Sequence, residues 1–128
     1  GLPKSRVLLG SHLLEAVDRY VVVVEGLYDY AMMVQYDLPA VATMHAGLTP
    51  RQAEILIDIG KPVFLMYDND EAGRRANDTA IHRLHNHMPV SAVTYPKQPE
   101  QHQAKCPKDP AACSLKQVVK MLTNAKLL

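Results

Sequence analysis

Two carboxylates, Asp68 and Asp70, close the apolar run Pro62-Val63-Phe64-Leu65-Met66-Tyr67 and stand directly before a stretch with helical character. In an extended chain residues two apart point the same way, so both acids converge at the strand's C-terminal edge. Open α/β sheets bind ligands at that edge. Two hard oxygen donors held this close repel each other unless a cation sits between them, which points to Mg²⁺. An Asp-Asn-Asp cluster ahead of a helix is equally the chemistry of turns and N-caps. A third acid tips the balance. Glu25 ends the β-branched run Tyr20-Val21-Val22-Val23-Val24, and Gly26 after it permits a tight exit. Glu25, Asp68 and Asp70 are then expected on one rim, although more than forty residues separate the first from the other two. Asp29 falls in the first turn of the following helix, where a negative charge is favoured.

The elements that must position these acids read as alternating strands and helices. Residues 20–24, 40–44, 62–67 and 90–95 have the β-branched or alternating character of strands. Leu27, Tyr30, Ala31 and Val34 recur at helical spacing. Thr49-Pro50-Arg51-Gln52 combines an N-cap, a proline at the first helical position and a capping-box glutamine; Ala53, Leu56 and Ile57 give the apolar face and Gly60 the stop. A third helix is expected over about 71–87, ended by Pro89. Ser114-Leu115-Lys116-Gln117 opens a fourth, with Leu115, Val118, Val119 and Leu122 facing inward and Lys116 and Lys120 outward. Leu13, Leu14 and Val17 suggest a short amphipathic turn before the first strand. This alternation implies right-handed crossovers and an α/β domain: a small parallel sheet of about four strands sandwiched between helices. Residues 1–19 read as a lead-in, the end of a preceding subdomain, and 20–128 as the domain itself. There is no internal repeat.

With 128 residues, 48% of them hydrophobic and 21% charged, the chain suits one domain with a sizeable core. No apolar run approaches a membrane span, and no secretory leader is expected. The chain opens on Gly rather than Met, as an excised fragment would. Residues 1–96 hold 8 Lys/Arg against 11 Asp/Glu, whereas 97–128 hold 6 Lys against 2 acids. An acidic site followed by a basic tail suits a metal and a polyanion together, and a solvated helix face accounts for the lysines equally well. Cys106 and Cys113 are too few for a disulfide framework, and their spacing lies outside the usual zinc pattern even with His102 added, so no structural zinc is expected. His82, His85 and His87, at a helix end, are assigned no chemistry.

Glu25-Gly26-Leu27-Tyr28-Asp29 together with Asp68-Asn69-Asp70-Glu71-Ala72-Gly73-Arg74-Arg75-Ala76 resembles the Toprim domain. That domain is shared by bacterial-type DNA primases, type IA and type II topoisomerases, and certain nucleases and recombination proteins. The Asp after Glu-Gly and the Ala-Gly-Arg-x-Ala after the second Asp lean towards primases, bacterial and phage. Ala46-Gly47-Leu48-Thr49-Pro50-Arg51-Gln52 and Lys108-Asp109-Pro110 are similar to further primase segments. The late element departs from the pattern, since Ala111 and Ala112 stand where a second acid is usual. His45 occupies a place where primases tend to have a small residue.

The resemblance, over about residues 20–122, implies a primase catalytic-core fragment. It would carry out two-metal nucleotidyl transfer in RNA primer synthesis on single-stranded DNA, in the cytoplasm of a bacterial or phage-infected cell. It implies Mg²⁺, with Mn²⁺ as substitute, held by Glu25, Asp29, Asp68, Asp70 and Asp109, and catalysis by Glu25, Asp68 and Asp70. Gly73, Arg74, Arg75 and Lys108 would meet phosphates. The partners implied are a single-stranded DNA template, ribonucleoside triphosphates, the RNA primer and, through regions outside this chain, a replicative helicase; no membrane is involved. Two alternatives use the same residues: a metal-dependent Toprim nuclease, and a non-catalytic docking module whose acidic site is vestigial.

Overall fold

The computed structural model describes residues 4–96 and 108–127. His102 and Cys106, two of the residues considered for zinc, lie outside the described residues. The elements run β1 (Val21–Val24), α1 (Leu27–Gln35), β2 (Ala40–Ala42), α2 (Pro50–Ile59), β3 (Val63–Leu65), α3 (Glu71–Leu84), β4 (Val90–Ala92), α4 (Leu115–Thr123) and β5 (Lys126–Leu127). Short 3-10 turns occur at Lys4–Arg6, Ser11–Leu13 and Pro110–Ala112.

The valines of β1 are fully buried, as a run without polar alternation requires in a strand covered on both sides. Val21 and Val23 face a core built with Ala53 and Leu56 of α2 and Ala76, Ala80 and Leu84 of α3. Val22 and Val24 face the opposite core, built with Met33 of α1 and Val118 and Met121 of α4. The strand order is β2-β1-β3-β4-β5; the first four are parallel and β5 pairs antiparallel with β4. The four parallel strands and four helices are those expected from the sequence. β5 was not expected, because two residues are too few to show any alternation.

The helix ends follow the capping signals. Thr49 accepts from Gln52 N at 3.2 Å while the Gln52 amide oxygen accepts from Thr49 N at 3.1 Å, and Gly60 leaves α2 at φ 71°. Ser114 and Gln117 make the same reciprocal pair at the start of α4. α3 ends earlier than expected, because the chain leaves the helix to bury Met88 and begin β4.

Three inward faces differ from expectation. In α1 the buried positions are Asp29 and Met33, while Leu27 and Val34 are exposed. Asp29 is turned inward to reach backbone N–H groups, and Met33, one turn later, follows it. In α4 Val118 and Met121 are buried, whereas Leu115 and Val119 are exposed. The contact strip is narrower than the apolar stripe. In the lead-in Leu13 and Val17 are exposed; Leu8 enters the core instead, and Leu9 forms an antiparallel bridge to Ala42.

Gln52 has a second duty. It is fully buried, and the two N–H groups of its amide nitrogen are shared among the carbonyls of Lys4, Val7 and Thr43, at 3.1, 2.9 and 2.9 Å. One side chain thus ties the lead-in to the exit of β2. Gln52→Ala should cost about 1–3 kcal/mol, because it leaves buried carbonyls without their donor. Urea unfolding would measure this, and proteolysis should then begin in the lead-in.

Candidate active site

The chain order places the site. β1 passes through α1 to β2 on one side of the sheet, while β3 passes through α3 to β4 on the other. The two helices lie on opposite faces, so the C-terminal ends of β1 and β3 form the switch point at which open α/β sheets take their ligands. Glu25 directly follows β1, and Asp68 and Asp70 lie just beyond β3.

The turn from β3 into α3 is built on close backbone contact. Asp70 is the N-cap of α3: its Oδ1 accepts from Gly73 N at 2.7 Å, and its own N donates to Asp68 O at 2.9 Å. A Cβ on Gly73 would lie 1.8 Å from the Asp68 carbonyl oxygen. Gly73 is therefore required for packing against the main chain of Asp68.

A third loop is sewn to this turn. Asn69 N donates to Lys108 O at 2.6 Å. Asp109 caps the 3-10 turn Pro110–Ala112, accepting from Ala112 N at 3.0 Å. Asp29 accepts from Gly26 N at 3.3 Å with Oδ2 and from Ala111 N at 3.0 Å with Oδ1. Both oxygens of Asp29 are thus engaged, and its carboxylate clamps the loop carrying Asp109 to the start of α1. Ala111, where a second acid was looked for, supplies this clamp through its backbone.

The acids sense one another. Burial pushes the carboxyl of Asp68 up to about 6, helped by Glu25, Asp29, Asp109 and Asp70. Burial likewise raises Glu25, aided by Asp70 and Asp29 and opposed by His45. Asp29 is also raised by burial, with Asp109 adding to it and the two N–H donors opposing it. Asp68 Oδ1 is buried without a hydrogen-bond partner among the described residues. Hard carboxylate oxygens, one of them buried and unpartnered, are the donor set that Mg²⁺ takes. They do not form a closed cage: among the described residues no three Asp, Glu, His or Cys side chains are grouped closely enough to hold one ion.

Arg74 lines a cleft of about 260 Å³ beside the rim, together with Asp68, Asn77 and Thr94. Arg75 points elsewhere and makes an exposed pair with Glu71 at 3.7 Å. The side chain of Lys108 is exposed next to Asp109. Another hollow, of about 210 Å³ between the lead-in and α1, is lined by Leu13, Leu14 and Tyr30 and lies away from these acids. Cys113 is buried and its thiol is pushed up to about 11 by burial, so it behaves as a core residue. Sequence reasoning gave no role to His45 or Asn77. Their departure from expected residue types was the only signal available for the former, and there was none for the latter.

A family model described as Toprim-like matches residues 22–104. The chain belongs to the Toprim-like family. A curated DNA primase from Aquifex aeolicus (strain VF5) is 35% identical over 63 residues, covering 48% of this chain and 13% of that protein. The solved Aquifex aeolicus primase, comprising zinc binding and RNA polymerase domains, superposes with a TM-score of 0.75 at 23% identity, over 99% of this chain and 32% of that one. A primase catalytic domain solved with bound single-stranded DNA gives 0.71 at 22% identity, over 98% and 41%. The likeness to the Toprim domain of primases expected from the motifs therefore holds, and the chain spans a minor part of each of these relatives.

Two outcomes follow from this Toprim geometry. Gly73→Ala must push α3 off Asp68 and should cost about 3 kcal/mol in urea unfolding. An acid that holds its proton more tightly folded than unfolded favours the native state at low pH. For Asp68 that advantage disappears as pH rises from its ordinary 3.8 through about 6. Without metal, the wild-type chain should therefore lose about 1 kcal/mol relative to Asp68→Asn between pH 4 and pH 6.5; solvent screening of this part-exposed group keeps the figure modest.

Proposed function

We propose that this Toprim domain is part of a DNA primase catalytic core, acting in RNA primer synthesis on single-stranded DNA in a bacterial or phage-infected cell. The observation that carries the reading is the acid rim at the C-terminal ends of β1 and β3, joined to the primase-type start of α3, Asp70-Glu71-Ala72-Gly73-Arg74. The 35% identity with a DNA primase supports it, as does a fold shared with a primase domain bound to single-stranded DNA. No helix among the described residues is long and apolar enough to cross a membrane.

Glu25, Asp68 and the second oxygen of Asp70 would each offer an oxygen to Mg²⁺ or Mn²⁺, with water and phosphate supplying the other ligands, since no three such side chains among the described residues close on one ion as they stand. A bound divalent ion would neutralise triphosphate oxygens and make a 3′ hydroxyl more acidic. Asp29 fixes the loop that brings Asp109 to the rim. Where Glu25 does not ligate the ion, it is the group placed to take up the hydroxyl proton. Arg74 in the adjoining cleft would steer a phosphate, and Lys108 would add positive charge at the rim. The template, ribonucleoside triphosphates and primer are shared with segments outside this chain, as is contact with a replicative helicase. Primer synthesis by the 128 residues alone should accordingly be weak or absent.

Two measurements test this. Mg²⁺ or Mn²⁺ should raise the melting temperature of the wild type by mass action, but not that of Asp68→Asn; no effect on either would favour a docking module with a vestigial site. Incubation with labelled single strands, Mn²⁺ and ribonucleotides should give extension when the missing primase segments are supplied. Shortening of the label would instead mark a nuclease.

A further inference from the structure

The cleft beside the rim holds more than Arg74. Its floor is closed where β3 and β4 leave the sheet: Val93 N donates to Leu65 O at 3.1 Å, and the Tyr95 hydroxyl donates to Tyr67 O at 2.8 Å. Leu65 and Val93 give the cleft an apolar side, while α3 supplies two polar side chains, Arg74 and Asn77. Asp68 lines it too, so the cleft is continuous with the rim.

The protein does not fully engage these polar groups. The ion pairs among the described residues join Arg51 to Glu54 and Arg75 to Glu71, which leaves the Arg74 guanidinium without one. Asn77 Oδ1 is buried and has no hydrogen-bond partner among the described residues. A buried acceptor without a donor costs stability, and a bound group that brings the donor removes that cost. The cleft therefore asks for negative charge at Arg74 and a hydrogen-bond donor at Asn77. At about 260 Å³ it suits one small polar unit rather than a length of strand.

The order of groups along α3 narrows the choice. Asp70 caps the helix at the rim, Arg74 follows one turn later and Asn77 about one turn after that. Helical residues three apart have Cβ atoms about 5–6 Å from one another. A nucleotide carries its groups in the same order, phosphates first and sugar hydroxyls a few bonds beyond. An amide places an acceptor and a donor side by side, which matches the two neighbouring hydroxyls of ribose. It also matches the edge of adenine, but that edge lies farther from the phosphates than the sugar does.

We propose that this cleft seats the sugar of a nucleotide whose phosphates lie at Arg74 and the rim, and that Asn77 selects ribose by holding its 2′ and 3′ hydroxyls. This rests on the nucleotide-binding reading given above. A site built to pair with a hydroxyl rejects the analogue that lacks it, and the 2′ hydroxyl is what separates a ribonucleotide from a deoxyribonucleotide.

ATP and dATP titrated with Mg²⁺ into the ¹⁵N-labelled chain would test this, followed by amide resonances. The wild type should bind ATP at least about fivefold more tightly than dATP, with the side-chain amide of Asn77 shifting for ATP. Asn77→Ala, which favours the helix and so should fold, should bring the two affinities within about twofold of each other. Arg74→Ala should weaken both nucleotides and keep their ratio. Equal binding of ATP and dATP by the wild type, lost in Asp68→Asn, would overturn the proposal and leave the nucleotide-binding reading intact. A preference for ATP that survives in Asn77→Ala would overturn it as well. So would an Asn77→Ala effect on the ratio of ATP to UTP in place of ATP to dATP, which would mark a base reader. Absence of any nucleotide binding by the folded wild type would overturn both readings.

Discussion

The first turn of α3 rests on the main chain of Asp68 so closely that nothing larger than hydrogen fits between them. This contact sets the direction of α3 and the orientation of the turn beneath it. Asp70 completes the turn by capping the same helix at Gly73, and Asn69 passes the constraint on to the backbone of Lys108. Asp29 then returns it to the start of α1. Hydrogen bonds that backbone N–H groups donate to one main-chain carbonyl and to the carboxylates of Asp29 and Asp70 thus connect three loops far apart in sequence.

The carboxylates of the rim are not equivalent, although their charges are. Asp29 spends both oxygens on N–H groups, while Asp70 and Asp109 each spend one on a cap. Asp68 keeps a buried oxygen unpartnered and shows the consequence in a proton affinity well above the usual range. One set of acids therefore builds the frame, and the other carries the electrostatic tension that a cation would relieve. Both readings of the Asp-Asn-Asp cluster, cap and ligand, are accommodated because they fall on different atoms.

The strands and helix ends were legible in the sequence because their causes are local. A valine run has no polar face to show, and Thr49, Gly60 and Ser114 act within one turn of where they stand. The acids were legible for a similar reason, since each follows its strand within a few residues. Inward faces were less so. Periodicity reveals an apolar stripe on α1 and α4, but which part of it is covered depends on partners elsewhere. Asp29 turns inward to meet Ala111, 82 residues away, and no spacing rule contains that residue. Gln52 read correctly as a capping residue, yet its bonds to Lys4 and Val7 required the lead-in to fold back. His45 stood out as a residue type, and its place next to the end of β1 came only with the strand order.

The four parallel strands have two borders, and each is covered. On one, β5 runs opposite to its neighbour and shields β4. On the other, a single residue does the work: Leu9 exchanges both of its backbone bonds with Ala42, at 3.0 Å each. A strand as short as β2 with its outer hydrogen-bonding groups bare would be an invitation to a second chain. The lead-in is therefore a stopper as well as an approach to the domain, and a shortened chain starting beyond Leu9 would bring an unprotected seam to its neighbours.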